Sequence, residues 1–216
     1  MPVTLSNSYI PVGSGGVSST TTGVVVASGE TIAVVVFLPN GTAVTSVDWG
    51  TDLDDFTQAA SYANATYGDI EIWENLTPTA ATRDITVNYD TTGTVLFGTY
   101  VFAGAGAISD PDTGTTAAAT THTRNVANVT ADDFMIDAVI SSGNIVFQTN
   151  QTELFDSSFG GNSAQSSSKD GALTVAGVME WTSGAARDTT MLAVRVPEAS
   201  AASGGASRLI GTGLVR

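Results

Sequence analysis

Residues 67–104 read YGDIEIWENLTPTAATRDITVNYDTTGTVLFGTYVFAG, three apolar-alternating runs joined by two turn clusters. In the middle run Ile85, Val87 and Tyr89 fall on one side and Asp84, Thr86 and Asn88 on the other. That is the period of two of a strand with one covered face. In the last run Val95, Phe97, Thr99 and Val101 alternate with Leu96, Gly98, Tyr100 and Phe102, and both sets are largely apolar. Such a strand belongs at the centre of a fold, covered on both sides. Residues 31–38 carry the same expectation through their apolar run from Ile32 to Leu38. Pro78 ends the first of the three runs, because proline has no N–H to give to a strand partner.

No stretch shows a 3.6-residue apolar period, and the strand-like runs recur at short spacing between Gly, Asn, Ser and Pro clusters. The expected fold class is all-β, a single antiparallel β-sandwich of jelly-roll type with about eleven strands. At 216 residues one good core is available, enough for one domain of this class. Residues 1–19, rich in Ser, Gly and Pro, are expected to form an N-terminal arm, residues 20–197 the sandwich, and residues 198–216 an Ala/Ser/Gly linker with a short apolar tail. In order, residues 20–27 and 31–38 predict a strand pair, 44–49 and 56–62 further strands, and 67–104 a central meander. Residues 104–119 predict a long loop, 120–129 an edge strand, and 133–141 a core strand paired with 145–149. Residues 156–171 predict a low-complexity loop, and 173–181 and 191–196 the closing strands.

Charge narrows the function classes. The formal net charge is -14, from 21 Asp and Glu against 7 Lys and Arg, with Lys169 the only lysine. Such a surface repels phosphate backbones and offers no basic cluster to anionic lipid, so neither nucleic acid nor membrane is expected as a partner. The excess of acid over lysine suits a high-salt medium, where screening removes self-repulsion. There is no cysteine, hence no disulfide framework and no thiol chemistry. The first residues, Met1-Pro-Val-Thr-Leu-Ser6, lack the basic and apolar regions of a signal peptide, and no run approaches the roughly 18 apolar residues of a membrane-spanning helix. A composition typical of surface proteins without an export signal leads to the expectation of a virus particle assembled in the host cytoplasm, with an extracellular or cell-surface location as the alternative.

The series Val44-Thr-Ser-Val-Asp-Trp-Gly50, Ile70-Glu-Ile-Trp-Glu-Asn-Leu-Thr-Pro78, Asp84-Ile-Thr-Val87 and Phe97-Gly-Thr-Tyr-Val-Phe-Ala-Gly104 resembles a family of jelly-roll modules found in bacterial, archaeal and phage surface proteins. Met179-Glu-Trp-Thr182 and Ala193-Val-Arg-Val-Pro197 resemble that family's closing strands, so the likeness covers roughly residues 20–197. It implies a virion, tail or cell-surface part that docks to a shell or binds glycans, and it brings no catalytic set.

The candidate chemistry is sparse. The single histidine, His122, sits among threonines on a polar run, where any hydrolytic triad would have to use it; an incidental exposed histidine is the expectation. Asp69, Glu71 and Glu74 flank Trp73 in a strand that superficially resembles those of jelly-roll glucanases. Glycosidase carboxylates must converge on one cleft, whereas Asp69 and Glu71 share a face that Glu74 does not. A solvated face with one packed tryptophan is the expectation. Asp110 and Asp112, or Asp52, Asp54 and Asp55, could contribute to a Ca2+ loop, but neither group supplies the six to eight oxygens calcium takes. No cofactor is therefore expected. Asn40, Asn64, Asn75, Asn128 and Asn150 stand in Asn-X-Ser/Thr sequons. For sugar stacking Trp49 is the best exposed candidate, with Trp73 behind it and Trp181 on a core-facing pattern.

These readings point to a non-enzymatic virion structural protein, a head decoration, turret or tail component displayed outside the particle of a prokaryotic, halophilic host. Its partners would be other virion proteins such as capsid or tail, further copies of itself in a homo-oligomer such as a trimer, and a host surface glycan. The alternative is a carbohydrate-binding adhesin module using Trp49.

Overall fold

The computed structural model describes residues 2–9, 16–51, 56–147, 150–159, 161–173 and 177–200. Its strands, in chain order, are β1 (Thr4–Tyr9), β2 (Gly16–Val26), β3 (Glu30–Leu38), β4 (Val44–Trp49), β5 (Thr57–Tyr62), β6 (Asp69–Asn75) and β7 (Ala81–Gly93). They continue with β8 (Leu96–Ala103), β9 (Ser109–Asn125), β10 (Phe134–Ser141), β11 (Val146–Phe147), β12 (Thr152–Phe159), β13 (Asn162–Asp170) and β14 (Val178–Val196). The only helical element among the described residues is a 3-10 turn at Gly171–Leu173.

All pairings are antiparallel. The central sheet has the order β1-β8-β3-β6-β5, and a small sheet β2-β7-β4 covers one of its faces. The other face is covered by a sheet of order β14-β10-β13-β12, with β9 and β11 also paired to β14. Alternation along β3 shows how one strand serves two cores. Ala33, Val35 and Phe37 pack toward β10, β12 and β14, while Ile32, Val34, Val36 and Leu38 pack toward β2, β4 and β7. Every one of these side chains is fully buried, as the unbroken apolar run requires. β8 does the same, with Tyr100 and Phe102 on one side and Phe97 and Val101 on the other. Phe37 stacks on Phe155 of β12 at 5.3 Å, an offset-stacking distance.

The third sheet folds back on itself. The Asn125 N–H donates to Asp112 Oδ2 at 2.6 Å across 13 residues of the same strand, whereas a straight strand would separate them by about 43 Å. Arg124 lies so close over Gly114 that a Cβ there would meet Nη2 at 2.8 Å, so a larger residue would displace the guanidinium. The bend in β9 falls near Ala118, at φ 45°. β14 turns at the matching place, where its register to β9 jumps between Thr182 and Arg187. The returning segments lie over the outer face of β10 and β14, bringing Trp181 against Val139, Ile145 and Met191, and Met179 against Met135, Ala193 and Val126.

Several expectations are corrected. The segment expected as an N-terminal arm contains β1, hydrogen-bonded along β8, and the start of β2. β2 and β3 are consecutive but lie in different sheets, and β7 lies in a different sheet from both β6 and β8, so neither the early strand pair nor the meander forms. Residues 109–119 are strand rather than loop, and β11 pairs with β14 rather than β10. The serine-rich stretch is β13, between β10 and β12, with Ser166 and Ser167 fully buried. Ser166, Ser167 and Ser168 find hydrogen-bond partners on β10 and β12, so the composition of the stretch conceals its burial. At the C-terminal end Glu198 bridges Ala105, and the Ala199 N–H donates to Gly104 O at 2.8 Å; residues 201–216 lie outside the described residues.

Candidate functional site

A concave surface is built around the loop between β5 and β6. Asn64 shapes that loop: its Oδ1 accepts from the N–H groups of Thr66 at 2.9 Å and Tyr67 at 3.1 Å, an Asx turn. The Gly68 N–H donates to Asn64 O at 3.1 Å, and Gly68 takes φ 115°, a conformation only glycine adopts without strain. The Asn64 N–H donates to Asp69 Oδ1 at 2.7 Å, and Asn40 Nδ2, from the β3–β4 turn, donates to Ala65 O at 2.8 Å.

This scaffold holds Tyr67 half-buried, with its hydroxyl donating to Asp188 Oδ2 at 2.6 Å. Asp188 also accepts the Ala118 N–H on Oδ1 at 2.7 Å. The tyrosine hydroxyl is the main cause holding the Asp188 carboxyl below its usual range, and the same bond raises the Tyr67 phenol. Both effects mark a phenol donating to an ionised carboxylate. Tyr67 stands between two hollows. One, of about 300 Å³, is lined by Pro39, Asn40, Thr66, Gly68, Thr94 and Asn162. The other, of about 230 Å³, is lined by Asn64, Thr66, Thr115, Thr116, Ala117, Asp188 and Thr189. The lining combines one aromatic ring with amides, hydroxyls and a single carboxylate, a set suited to a polar ligand without negative charge.

Apart from Asn40, Asn64 and Asp69, which shape this loop, the residues singled out in the sequence lie elsewhere. Trp49 is fully buried between β4, β7 and the central sheet, and its indole N–H has no hydrogen-bond partner. It is therefore not an exposed stacking platform: the apolar face it shares with Val47 turns inward. Trp181 is also fully buried. Trp73 is half-buried, and its Nε1 donates to Glu71 Oε2 at 2.8 Å, which also receives Gln58 Nε2 at 2.9 Å. Glu74, on the opposite face, accepts the Ile108 N–H at 2.7 Å, and burial raises its carboxyl. Glu71 and Glu74 are both buried, because β6 lies between β3 and β5 in the middle layer; the face expected to be solvated is covered.

Asp110 pairs with Arg195 Nη1 at 3.2 Å. Donation from Asn128 and Ser109, and then from Arg195, holds its carboxyl low. Asp112 accepts the Asn125 N–H, and its charge acts on Arg124. Both acids thus sit beside guanidinium groups, an electrostatic setting that opposes a cation. Among the described residues no group of three or more His, Asp or Glu is placed to hold a metal ion. Asp52, Asp54 and Asp55 lie outside them.

His122 is fully buried beneath the returning ribbon rather than exposed. Its Nδ1 shares a hydrogen bond with Thr189 Oγ1 at 2.9 Å, burial lowers its pKa, and it lines neither hollow. Four of the sequon asparagines serve local structure. Asn40 and Asn64 build the Tyr67 loop, Asn75 is buried and caps Thr77 N–H, and Asn128 Nδ2 donates to Asp110 Oδ1 at 2.9 Å.

Tyr67 and Asp188 escaped sequence reasoning because they lie 121 residues apart. The one local signal was the turn-forming Asn64-Ala-Thr-Tyr-Gly68 segment, which ends a strand and gives an aromatic residue a fixed place on a loop. No family model, curated protein or solved structure matches this chain.

Proposed function

We propose that this chain is a non-enzymatic structural protein displayed on the outside of a prokaryotic virus particle, built on a jelly roll that carries an additional sheet. The observation that carries the reading is the nested pairing of the first eight strands: β1 with β8, β2 with β7 and β3 with β6, in the orders β1-β8-β3-β6 and β2-β7-β4. An antiparallel ribbon doubled over on itself produces this nesting, the arrangement of eight-stranded jelly rolls in capsid and lectin domains. β5 departs from the pattern by pairing with β6 instead of β4. The acidic surface supports exposure to a salt-rich exterior, and the open edges at β1, β5 and β12 supply strands that neighbouring copies could cover.

The test is to probe particles purified from cultures of the source cells by gradient centrifugation, using antibody raised against the full chain. Gold label on intact particles is the expected result. Protein confined to the cell surface or the soluble medium overturns the proposal. Light scattering of the isolated protein in low and in molar salt adds a second readout, with a closed homo-oligomer stable in molar salt as the expected outcome.

A further inference from the structure

We propose that the two hollows beside Tyr67 form one binding site for a neutral oligosaccharide, with sugar units on either side of the tyrosine ring. Tyr67 lines both hollows, so a chain crossing it would lay the apolar C–H surface of a sugar against an aromatic face. Around the ring the amides of Asn40 and Asn162 and the hydroxyls of Thr94, Thr115 and Thr116 can each donate and accept, as sugar hydroxyls do. Asp188 adds an acceptor held ionised by its own donors.

Charge selects among sugars. Neither hollow is lined by Lys, Arg or His, and the chain carries a formal net charge of -14. Sialylated, sulfated or phosphorylated ligands would meet repulsion without a compensating cation. Preorganisation favours binding as well. Five hydrogen bonds through Asn64, Asn40, Gly68 and Asp69 fix the loop, and the Asp188 bond fixes the ring, so little ordering cost remains on the protein side. A volume near 300 Å³ in the larger hollow stands at the lower end of small-molecule sites, which calls for contacts on both sides of Tyr67. This site does not depend on the virion assignment, because the isolated protein tests it and the particle-labelling experiment does not.

The experiment is a calorimetric titration of the full chain with neutral linear tetrasaccharides of glucose, mannose and galactose. Their disaccharides, a sialylated trisaccharide and a sulfated disaccharide serve as comparisons. The expected result is binding of at least one neutral tetrasaccharide, weakened at least about tenfold in the disaccharide and in Tyr67→Ala. Tyr67→Phe, which keeps the ring and removes the tether to Asp188, should lose about threefold. Thr94→Trp, at an exposed position on the larger hollow, blocks that side without touching the Tyr67–Asp188 bond. It should reduce the tetrasaccharide to disaccharide affinity, and it serves if Tyr67→Ala fails to fold. No binding of any neutral tetrasaccharide, a preference for the acidic sugars, or affinity unchanged in folded Tyr67→Ala or Thr94→Trp overturns the proposal.

Discussion

The central sheet and the layer beneath the returning β9–β14 ribbon are equally buried, yet they are held together by different forces. Around β3 and β8 almost every inward side chain is apolar; stability there comes from removing hydrocarbon from water and from close packing. Under the ribbon the buried side chains include Asp137, Ser167, Gln151, His122 and Thr189 among Trp181 and three methionines. Fully buried Asp137 is the hub. Its Oδ2 accepts Trp181 Nε1 at 2.7 Å, and its Oδ1 accepts Ser167 N at 2.8 Å and Ser167 Oγ at 2.8 Å. Gln151 Nε2 donates to Ser167 Oγ at 2.7 Å and extends the network. Packed methyl groups stabilise wherever they touch, but a buried carboxylate stabilises only if its partners stay in place.

The sharpest way to test the apolar region is Phe37→Ala. It removes the ring stacked on Phe155 at 5.3 Å and should cost about 3–5 kcal/mol, read as a lower urea midpoint with little dependence on pH. A loss below about 1 kcal/mol would mean that the central core repacks freely.

The polar region should respond to pH instead. Burial pushes the Asp137 carboxyl up from 3.8 to about 6, against the lowering effect of the Trp181 and Ser167 donors. Between these values the folded state binds more protons than the unfolded state, so stability rises as pH falls from 7 toward 4, by at most about 3 kcal/mol from this group. His122 opposes it. Its folded pKa is depressed, so protonation in the unfolded state costs stability as pH falls below about 6.5. Arg124 contributes fixed positive charge next to His122. Urea unfolding at pH 7 and pH 5 for the parent and Asp137→Asn isolates the aspartate: the parent should gain relative to the variant at pH 5. Identical pH responses would show that the buried carboxylate carries no such cost.

Smaller effects sharpen the contrast. Trp181→Phe keeps most of the ring but leaves Asp137 Oδ2 without its indole donor, for a loss of about 1–2 kcal/mol by thermal unfolding. The same change at Trp49, whose N–H has no partner, should cost less, and a reversal of that order would break the distinction between the two regions. At the rim, Asp110→Asn removes a partly exposed ion pair to Arg195, which keeps its closer contact to Asp133 at 2.8 Å. The expected loss is about 0.5 kcal/mol.

The same contrast decides what could be read from the sequence. β3 and β8 were legible because unbroken apolar runs have no other place to go than a layer covered on both faces. β13 was not, because Ser163, Gln165 and Ser167 look solvated until β10 and β12 surround them. The candidate site behaved like β13. Trp49 drew attention by residue type, but Val47 and Ile85 beside it made its face part of the core. Tyr67 has no pattern of its own, and its partner Asp188 arrives only through the bend in β14.

By itself the sequence determined an all-β chain, the positions of most apolar strands, and an acidic exterior without thiol chemistry, because period, hydropathy and charge are local properties. Only the tertiary structure decided which strands pair, that a third sheet and a returning ribbon cover the second face of the centre, and that Tyr67 meets Asp188. Those outcomes depend on contacts between segments far apart in sequence, where each residue's environment is supplied by its neighbours in space.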